Sequence, residues 1–428
     1  MDGPGTITDK LLALGRAEVP TEAAAMMRLS LFDWAACGIA GARDGEFRGF
    51  VAAQAARTAG PCTVIGGGSA APADAALLNG TLSHALDYDD THFAHIGHPS
   101  VAILPAILAL AEEAGLTADA VIEAATVGVE GSILTGLWLG RDHYQVGYHQ
   151  TATAGAFGAV LGACRLLDLD VARTRNALGL CASMASGLKA QFGTMAKPLN
   201  AGLAARTGVE AALWAQTGMT AARDGLAGPL GFGPTHHGQA AEVSLPGDSW
   251  RIMAISHKFH ACCHGLHAML EALSRADAQA DDVAALQIRT HPRWMSVCNI
   301  AEPATGLEAK FSYRQTAAML LLGHDTAAAE SFTDAITREP RVVALRDVVE
   351  VSEDAALSEM QAALVLRLRD GSEQRLSHDL AAPIGMDALS DKLRRKGAAL
   401  LGRDAAQTLW EAAQGGTLRQ LTDQLVMS

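Results

Sequence analysis

Twenty-two residues, Asn79 to Ser100 (NGTLSHALDYDDTHFAHIGHPS), carry three carboxylates and four histidines. Groups of this kind at this density serve a metal ion, acid–base chemistry or a wet surface. If residues 80–92 form a helix, His84, Asp87 and Thr91 fall at i, i+3 and i+7 and share one face, while Asp89 and Asp90 point elsewhere. A His/Asp/Thr face on a helix that also carries Leu82, Ala85 and Leu86 needs partners to be buried. Ser100 is placed to cap the apolar helix after it, which puts His98 at a helix N-terminus, where backbone donors favour an anion. Asp87, Thr91 and His98 are therefore candidate functional residues, and Asp89, Asp90, His92 and His95 are read as solvated or supporting.

Three further stretches hold chemistry-bearing residues. In SHKFHACCHGLHAM (256–269), His260, His264 and His267 sit at i, i+4 and i+7 beside Cys262 and Cys263. Zinc uses these ligand types, but the spacing matches no common zinc template, HExxH is absent and no carboxylate separates the histidines, so the expectation is no metal. Lys258 in the same stretch, if desolvated, can anchor a carboxylate or donate a proton. In QFGTMAKPLNAGLAAR, Lys197 precedes Pro198, which suits a first helical turn; a lysine there opposes the macrodipole unless an anion joins it. In HYQVGYHQTAT, His149 and Thr151 stand just before a helix, where alone they read as a cap and a surface histidine.

The elements that must position these groups are mostly helical. The 428 residues are 49 % hydrophobic and 18 % charged, with few aromatics, so the core is built from Ala, Leu, Val and Ile. Residues 1–256 read as successive helices, with glycine and alanine inside them that allow close backbone approach. SVAILPAILALAEEAGL is a buried core helix, and the glycine-rich VIGGGSAAPAD, lacking the Gly-Lys-Ser/Thr ending of a phosphate loop, is a turn. From 257 to 383 the pattern changes: VAALQIRTH alternates as a strand, EAKFSYRQTAAMLLLG reads as one helix, and Asp370-Gly371 joins two alternating runs as a hairpin. Helix returns over 384–428. The expectation is a mainly α protein: a large all-helical domain from 1–256 and 384–428, plus a smaller α/β domain over 257–383.

Net charge is −13, which excludes a basic footprint for nucleic acid or an anionic membrane. The seven cysteines, odd in number and without a CxxC pair, read as reduced thiols. With no signal-peptide pattern and no transmembrane-length apolar run free of glycine and charge, a cytoplasmic location is expected.

Taken together, the motifs resemble the MmgE/PrpD family, which includes 2-methylcitrate dehydratases, cis-aconitate decarboxylase and iminodisuccinate epimerase. The blocks LFDWAACGIAG, NGTLSHALDYDDTH…HPSVAILPAILALAE, GYHQTATAGAFGA, FGTMAKPLNAGLAAR and EAKFS carry the likeness in order along nearly the whole chain. The resemblance implies a helical domain with a smaller α/β lid, a homodimer, and a site between the domains that needs no cofactor. It also implies Asp87, His98, His149, Lys197 and Lys258 as catalytic residues, with Thr91, Lys197 and Lys258 binding substrate. His260 stands in a block that often reads Pro-Tyr-Pro-Cys-Cys in the family, and adds an imidazole at the substrate end. The implied substrate is a small polycarboxylate: the two lysines would hold its carboxylates, His98 would transfer a proton, Asp87 would orient a histidine or act as base, and His149 would be a second acid. Dehydration of a citrate-like acid leads; epimerisation or isomerisation of a dicarboxylate follows, then decarboxylation of a cis-aconitate-like acid. A zinc enzyme and a catalytically idle ligand-binding relative are the readings from other classes.

Overall fold

The computed structural model describes residues 5–247 and 249–426. They form two units: the described residues of Met1–His257 with Leu401–Ser428, and Lys258–Leu400.

The larger unit is helical. Its centre is the helix Ser100–Ala114, buried on all sides from Ser100 to Ala111, as expected for a segment apolar all round. Around it pack Thr21–Asp44, Pro72–Ser83, Ala118–Val146, Gln150–Leu166 and Ala196–Gln216. Two of these, Thr21–Asp44 and Ala118–Val146, are long and apolar enough to cross a membrane, yet 83 % of each apolar window is buried inside the fold. From the chain's other end, Arg403–Gly415 packs on Thr21–Asp44, where Trp410 meets Phe32 edge-on at 5.1 Å.

The internal glycines explain how alanine-rich helices pack so closely. A Cβ on Gly202 would lie 2.2 Å from the Leu77 carbonyl oxygen, and one on Gly80 would lie 2.8 Å from Gly202 Cα. Pro72–Ser83 and Ala196–Gln216 therefore touch backbone to backbone. The turn expected over 64–74 is shorter: Gly66, Gly67 and Gly68 all have positive φ and join the short strands Cys62–Thr63 and Ser69–Ala70, and a helix begins at Pro72. The run of helices stops earlier than expected. Beyond Ala196–Gln216, residues 217–256 hold only short helical turns, in a stretch rich in glycine and proline.

The smaller unit holds a four-stranded sheet in the order Val349–Glu353, Val283–Thr290, Gln361–Leu368, Glu373–Asp379. The first pair is parallel and the others antiparallel. The hairpin turns at Asp370-Gly371 as its residues demand, with Gly371 at φ +88°. The single helix expected over EAKFSYRQTAAMLLLG is broken: Gly306–Ala309 ends, and Ser312 caps a new helix, Tyr313–Leu321, by accepting from Gln315 N–H. The helix Met386–Leu401 also differs from expectation. All but its last residue belongs to the smaller unit, tied there by the Lys392 ammonium bonded to Glu271.

Candidate active site

The site grows from the end of a helix. Pro72–Ser83 stops one residue before His84, so residues 84–92 are not the helical face that spacing suggested. The chain turns instead: Asp87 N–H bonds His84 C=O, and Asp87 adopts φ +51°, a left-handed conformation that aspartate tolerates better than most residues. Asp87 Oδ1 then lies 2.7 Å from Lys197 Nζ and 3.3 Å from His98 Nε2. Lys197 is the second residue of Ala196–Gln216, so the Asp87 carboxylate is the anion that its place in the first turn calls for. Lys197 Nζ also lies 5.8 Å from the centre of the Phe192 ring.

His98 faces a carboxylate at each ring nitrogen. Its Nδ1 is 3.0 Å from Asp89 Oδ2, and Asp89 Oδ1 is 2.8 Å from His84 Nδ1. The His84 and His98 rings meet edge to face at 4.6 Å. The His98 N–H donates to Thr151 Oγ1, and Ser100 begins the next helix two residues on. Lys197, Asp87, His98, Asp89 and His84 thus form one continuous polar chain, from a half-exposed carboxylate to a buried imidazole.

Burial divides these groups electrostatically. His84 is fully buried, which pushes it down to about 4 despite the neighbouring Asp89, so it is neutral at pH 7. Burial alone would raise the Asp89 carboxyl; His84 and His98 outweigh it and hold it well below the carboxylate range. His149 caps Gln150–Leu166 and is only 2 % exposed, not the surface histidine its neighbours suggested. Its Nδ1 is 3.4 Å from Asn200 Nδ2 and its ring meets Phe192 edge-on at 5.0 Å. Burial first, then Lys197, pushes it well below the usual range, so it is a neutral imidazole at pH 7.

Of the two roles expected for Asp89, Asp90, His92 and His95, solvated or supporting, burial leaves the supporting one. Asp89, Asp90, His92 and His95 are 1, 2, 4 and 0 % exposed. Asp90 accepts Ser100 N–H at 3.2 Å and the Ser100 hydroxyl, so Asp90 rather than Ser100 caps the core helix. His95 bonds Ser132 Oγ at 3.2 Å and fills the space left by Gly97 and Gly136, where a Cβ would meet its ring at 2.7 and 2.3 Å. These groups hold the loop's shape. Thr91 exchanges backbone hydrogen bonds with Ser256 and donates its hydroxyl to the Ser256 carbonyl at 3.1 Å. His84, Asp89 and Asn200 are absent from the sequence-derived set, because their contacts depend on where one helix ends and, for Asn200, on His149, 51 residues away.

In the smaller unit Lys258 is buried. His260 bonds Thr326 Oγ1 through Nδ1 at 2.7 Å, and its Nε2 lies 3.6 Å from Glu271 Oε1. Burial raises the Glu271 carboxyl, but the nearby His260 ring and the hydrogen-bonded Lys392 ammonium hold it at about 2. His260 is thus engaged within its own unit. Among the described residues, one group of ligand-type side chains is compact enough to share a cation: His84, Asp87, Asp89 and His98, with donor atoms within 4.8 Å of one another. The Lys197 ammonium already neutralises its exposed edge. His260, His264 and His267 do not form such a group with any carboxylate or thiol described.

Residues 5–242 match the MmgE/PrpD N-terminal domain and residues 260–415 the MmgE/PrpD C-terminal domain. The chain is 30 % identical over 282 residues to a cis-aconitate decarboxylase of Aspergillus terreus, covering 61 % of this chain and 57 % of that protein. It is 27 % identical over 370 residues to the cis-aconitate decarboxylase of Homo sapiens, covering 79 % and 75 %. A mitochondrial 2-methylcitrate dehydratase of Yarrowia lipolytica is 30 % identical over 104 residues, covering 24 % and 20 %. The match therefore spans little more than half the length of the Aspergillus relative. With both domains matched in order, the chain belongs to the MmgE/PrpD family.

Proposed function

We propose that this protein is a lyase acting on a small polycarboxylate at a carbon next to a carboxylate. The observation that carries this reading is the polar chain Lys197–Asp87–His98–Asp89, with a cation and an imidazole against one carboxylate at the N-terminus of a helix. A substrate carboxylate arriving there would meet the Lys197 ammonium and the helix N-terminus, both of which favour an anion. His98 Nε2, now facing Asp87, is the group aimed at the same place.

The longer matches to cis-aconitate decarboxylases than to a 2-methylcitrate dehydratase support reading decarboxylation of a cis-aconitate-like acid ahead of dehydration of a citrate-like acid, whereas the motifs alone led with dehydration, then epimerisation, then decarboxylation. In decarboxylation the electron pair of the breaking C–C bond stays on the substrate as CO2 departs. It is delocalised toward a remaining carboxylate, whose charge Lys197 would offset, and His98 Nε2–H would protonate the carbon. In dehydration Asp87 or neutral His98 would take the proton beside the carboxylate, and the conjugate acid so formed would return it to the β-hydroxyl oxygen, which leaves as water as the C–O bond breaks. The family resemblance assigns Lys258 to a second carboxylate and Thr91 to substrate binding; His149, held neutral, would serve as a hydrogen-bonding partner. The resemblance also puts His260 at the substrate end; its Nδ1 is bonded to Thr326 Oγ1, and Nε2, 3.6 Å from Glu271, is the atom that would meet substrate.

Incubation with cis-aconitate, citrate, 2-methylcitrate and dicarboxylates in D2O, followed by proton NMR, tests this reading. Carbon dioxide release with deuterium at the protonated carbon marks a decarboxylase. Loss of water marks a dehydratase, and exchange without net change marks an epimerase. No turnover or exchange with any of these acids would refute the proposal.

A further inference from the structure

Asp89 has the geometry of a clamp. Its carboxylate is 1 % exposed, and each oxygen meets the Nδ1 of a different histidine: His84 at 2.8 Å and His98 at 3.0 Å. His84 Nδ1 is hydrogen-bonded to Asp89 Oδ1, and His98 Nδ1 stands in ion-pair contact with Asp89 Oδ2 without full hydrogen-bond alignment. An ionised carboxylate repels a lone pair at 3.0 Å, so each Nδ1 carries its proton. For His84, which is neutral, this leaves a lone pair on Nε2, a buried atom with no hydrogen-bond partner. For His98 it leaves Nε2 as the atom that gains or loses a proton, and Nε2 is the atom turned to Asp87. The edge of His84 against the His98 ring at 4.6 Å blocks rotation of that ring away from this pose.

We propose that Asp89 is a positioning residue for His98, fixing its tautomer and ring orientation through Nδ1 so that Nε2 alone exchanges protons with substrate, and that His84 is the second donor that keeps the Asp89 carboxylate in place. This rests on the reading of His98 as the proton-transfer group. Asp89 itself touches no substrate; it acts through the imidazole. An unpaired carboxylate in this buried position would be costly, and two N–H donors satisfy it without a second full charge. Replacing Asp89 by asparagine keeps the shape but offers an N–H in place of one acceptor oxygen. One imidazole must then accept at Nδ1 and carry its proton on Nε2, the wrong atom for a base.

The test uses full-length protein labelled with 15N-histidine. The His98 signals are assigned by difference with His98→Gln, and spectra are followed to a pH at which the ring is neutral. The expected result is a neutral His98 protonated on Nδ1 in the wild type, moving toward the Nε2-protonated form in Asp89→Asn. Turnover of the acid that the wild type accepts should fall on the order of 10³–10⁴-fold in kcat for Asp89→Asn, with KM changed less than about threefold. A wild-type His98 protonated on Nε2 overturns the inference, and that measurement does not depend on the variant folding. So does an Asp89→Asn enzyme with wild-type kcat. If His98→Gln is inactive while Asp89→Asn is fully active, the clamp fails and the functional reading stands. If His98→Gln is active, the functional reading itself fails.

Discussion

Lys197 and Asp87 meet at 2.7 Å, half-exposed on the carboxylate side, so their mutual attraction contributes little to stability and their value lies in ligand binding. Lys197→Ala is therefore expected to fold normally and to lose on the order of 10²–10³-fold in kcat/KM, read by steady-state kinetics beside a thermal melt. Lys258→Ala should show a comparable loss if the second carboxylate depends on it; near-wild-type turnover in both variants would remove the lysines from the account. Residue types and spacing picked out Asp87, Thr91 and His98, the family resemblance added His149, Lys197 and Lys258, and the structure brings Asp87, His98 and Lys197 together within hydrogen-bonding or ion-pair reach. Spacing misplaced Asp89 and Asp90. No glycine or proline stands between Gly80 and Gly97 to mark where the helix ends, so helical periodicity carried past Ser83 and turned both carboxylates outward. Burial of a carboxylate is set by partners such as His84 and Ser100, which local pattern does not reveal.

At the scale of elements, the reach from Asp87 to Lys197 depends on how closely Pro72–Ser83 and Ala196–Gln216 pack. Gly202→Ala puts a methyl 2.2 Å from the Leu77 carbonyl oxygen, so the helices must separate. The expected cost is about 1–3 kcal/mol in urea unfolding, with a fall in activity as Lys197 moves with its helix. Gly49→Ala is the contrast: it lies in Arg48–Ala55 with nothing within 4 Å of the new methyl, and should stabilise by roughly 0.5–1 kcal/mol. If both substitutions behave alike, close packing at Gly202 is not what holds these helices. The helical glycines, the hairpin at Asp370-Gly371 and the glycine turn after Val64 were legible because each rests on local conformation. The parallel pairing of Val349–Glu353 with Val283–Thr290 and the break at Lys310–Ser312 were not, because strand partners and a mid-segment serine cap are decided by tertiary contacts.

For the molecule as a whole, the buried histidines set the pH range of stability. Burial pushes His84, His92 and His143 down to about 4 and His95 to about 3, whereas in the unfolded chain they return to near 6.5. Because the unfolded state takes up these protons first, their contribution is complete above about pH 6.5 and is lost as pH falls toward 4. Each ring adds a slope of up to about 1.4 kcal/mol per pH unit in that window. Asp90 and Glu130, raised by burial, oppose this at the acid end. Urea midpoints should therefore drop markedly from pH 7.5 to pH 5, and a flat profile would mean that these rings are not held neutral inside. The two-unit division and the return of the C-terminal helices to the larger unit follow from chain pattern, but the helix Met386–Leu401 does not. Its allegiance rests on long-range contacts that no local signal announces: Lys392 with Glu271 and over the Phe259 ring, and the buried Leu389 and Leu393.

His98, held between Asp87 and Asp89, is proposed to move a proton at a carbon beside a substrate carboxylate. The most direct measurement is proton NMR of cis-aconitate and 2-methylcitrate in D2O with wild-type protein and with His98→Ala. The wild type should place deuterium at that carbon as it releases CO2 or water, and His98→Ala should place none. Deuterium entering at the wild-type rate in His98→Ala, or no reaction of either acid with the wild type, would contradict it.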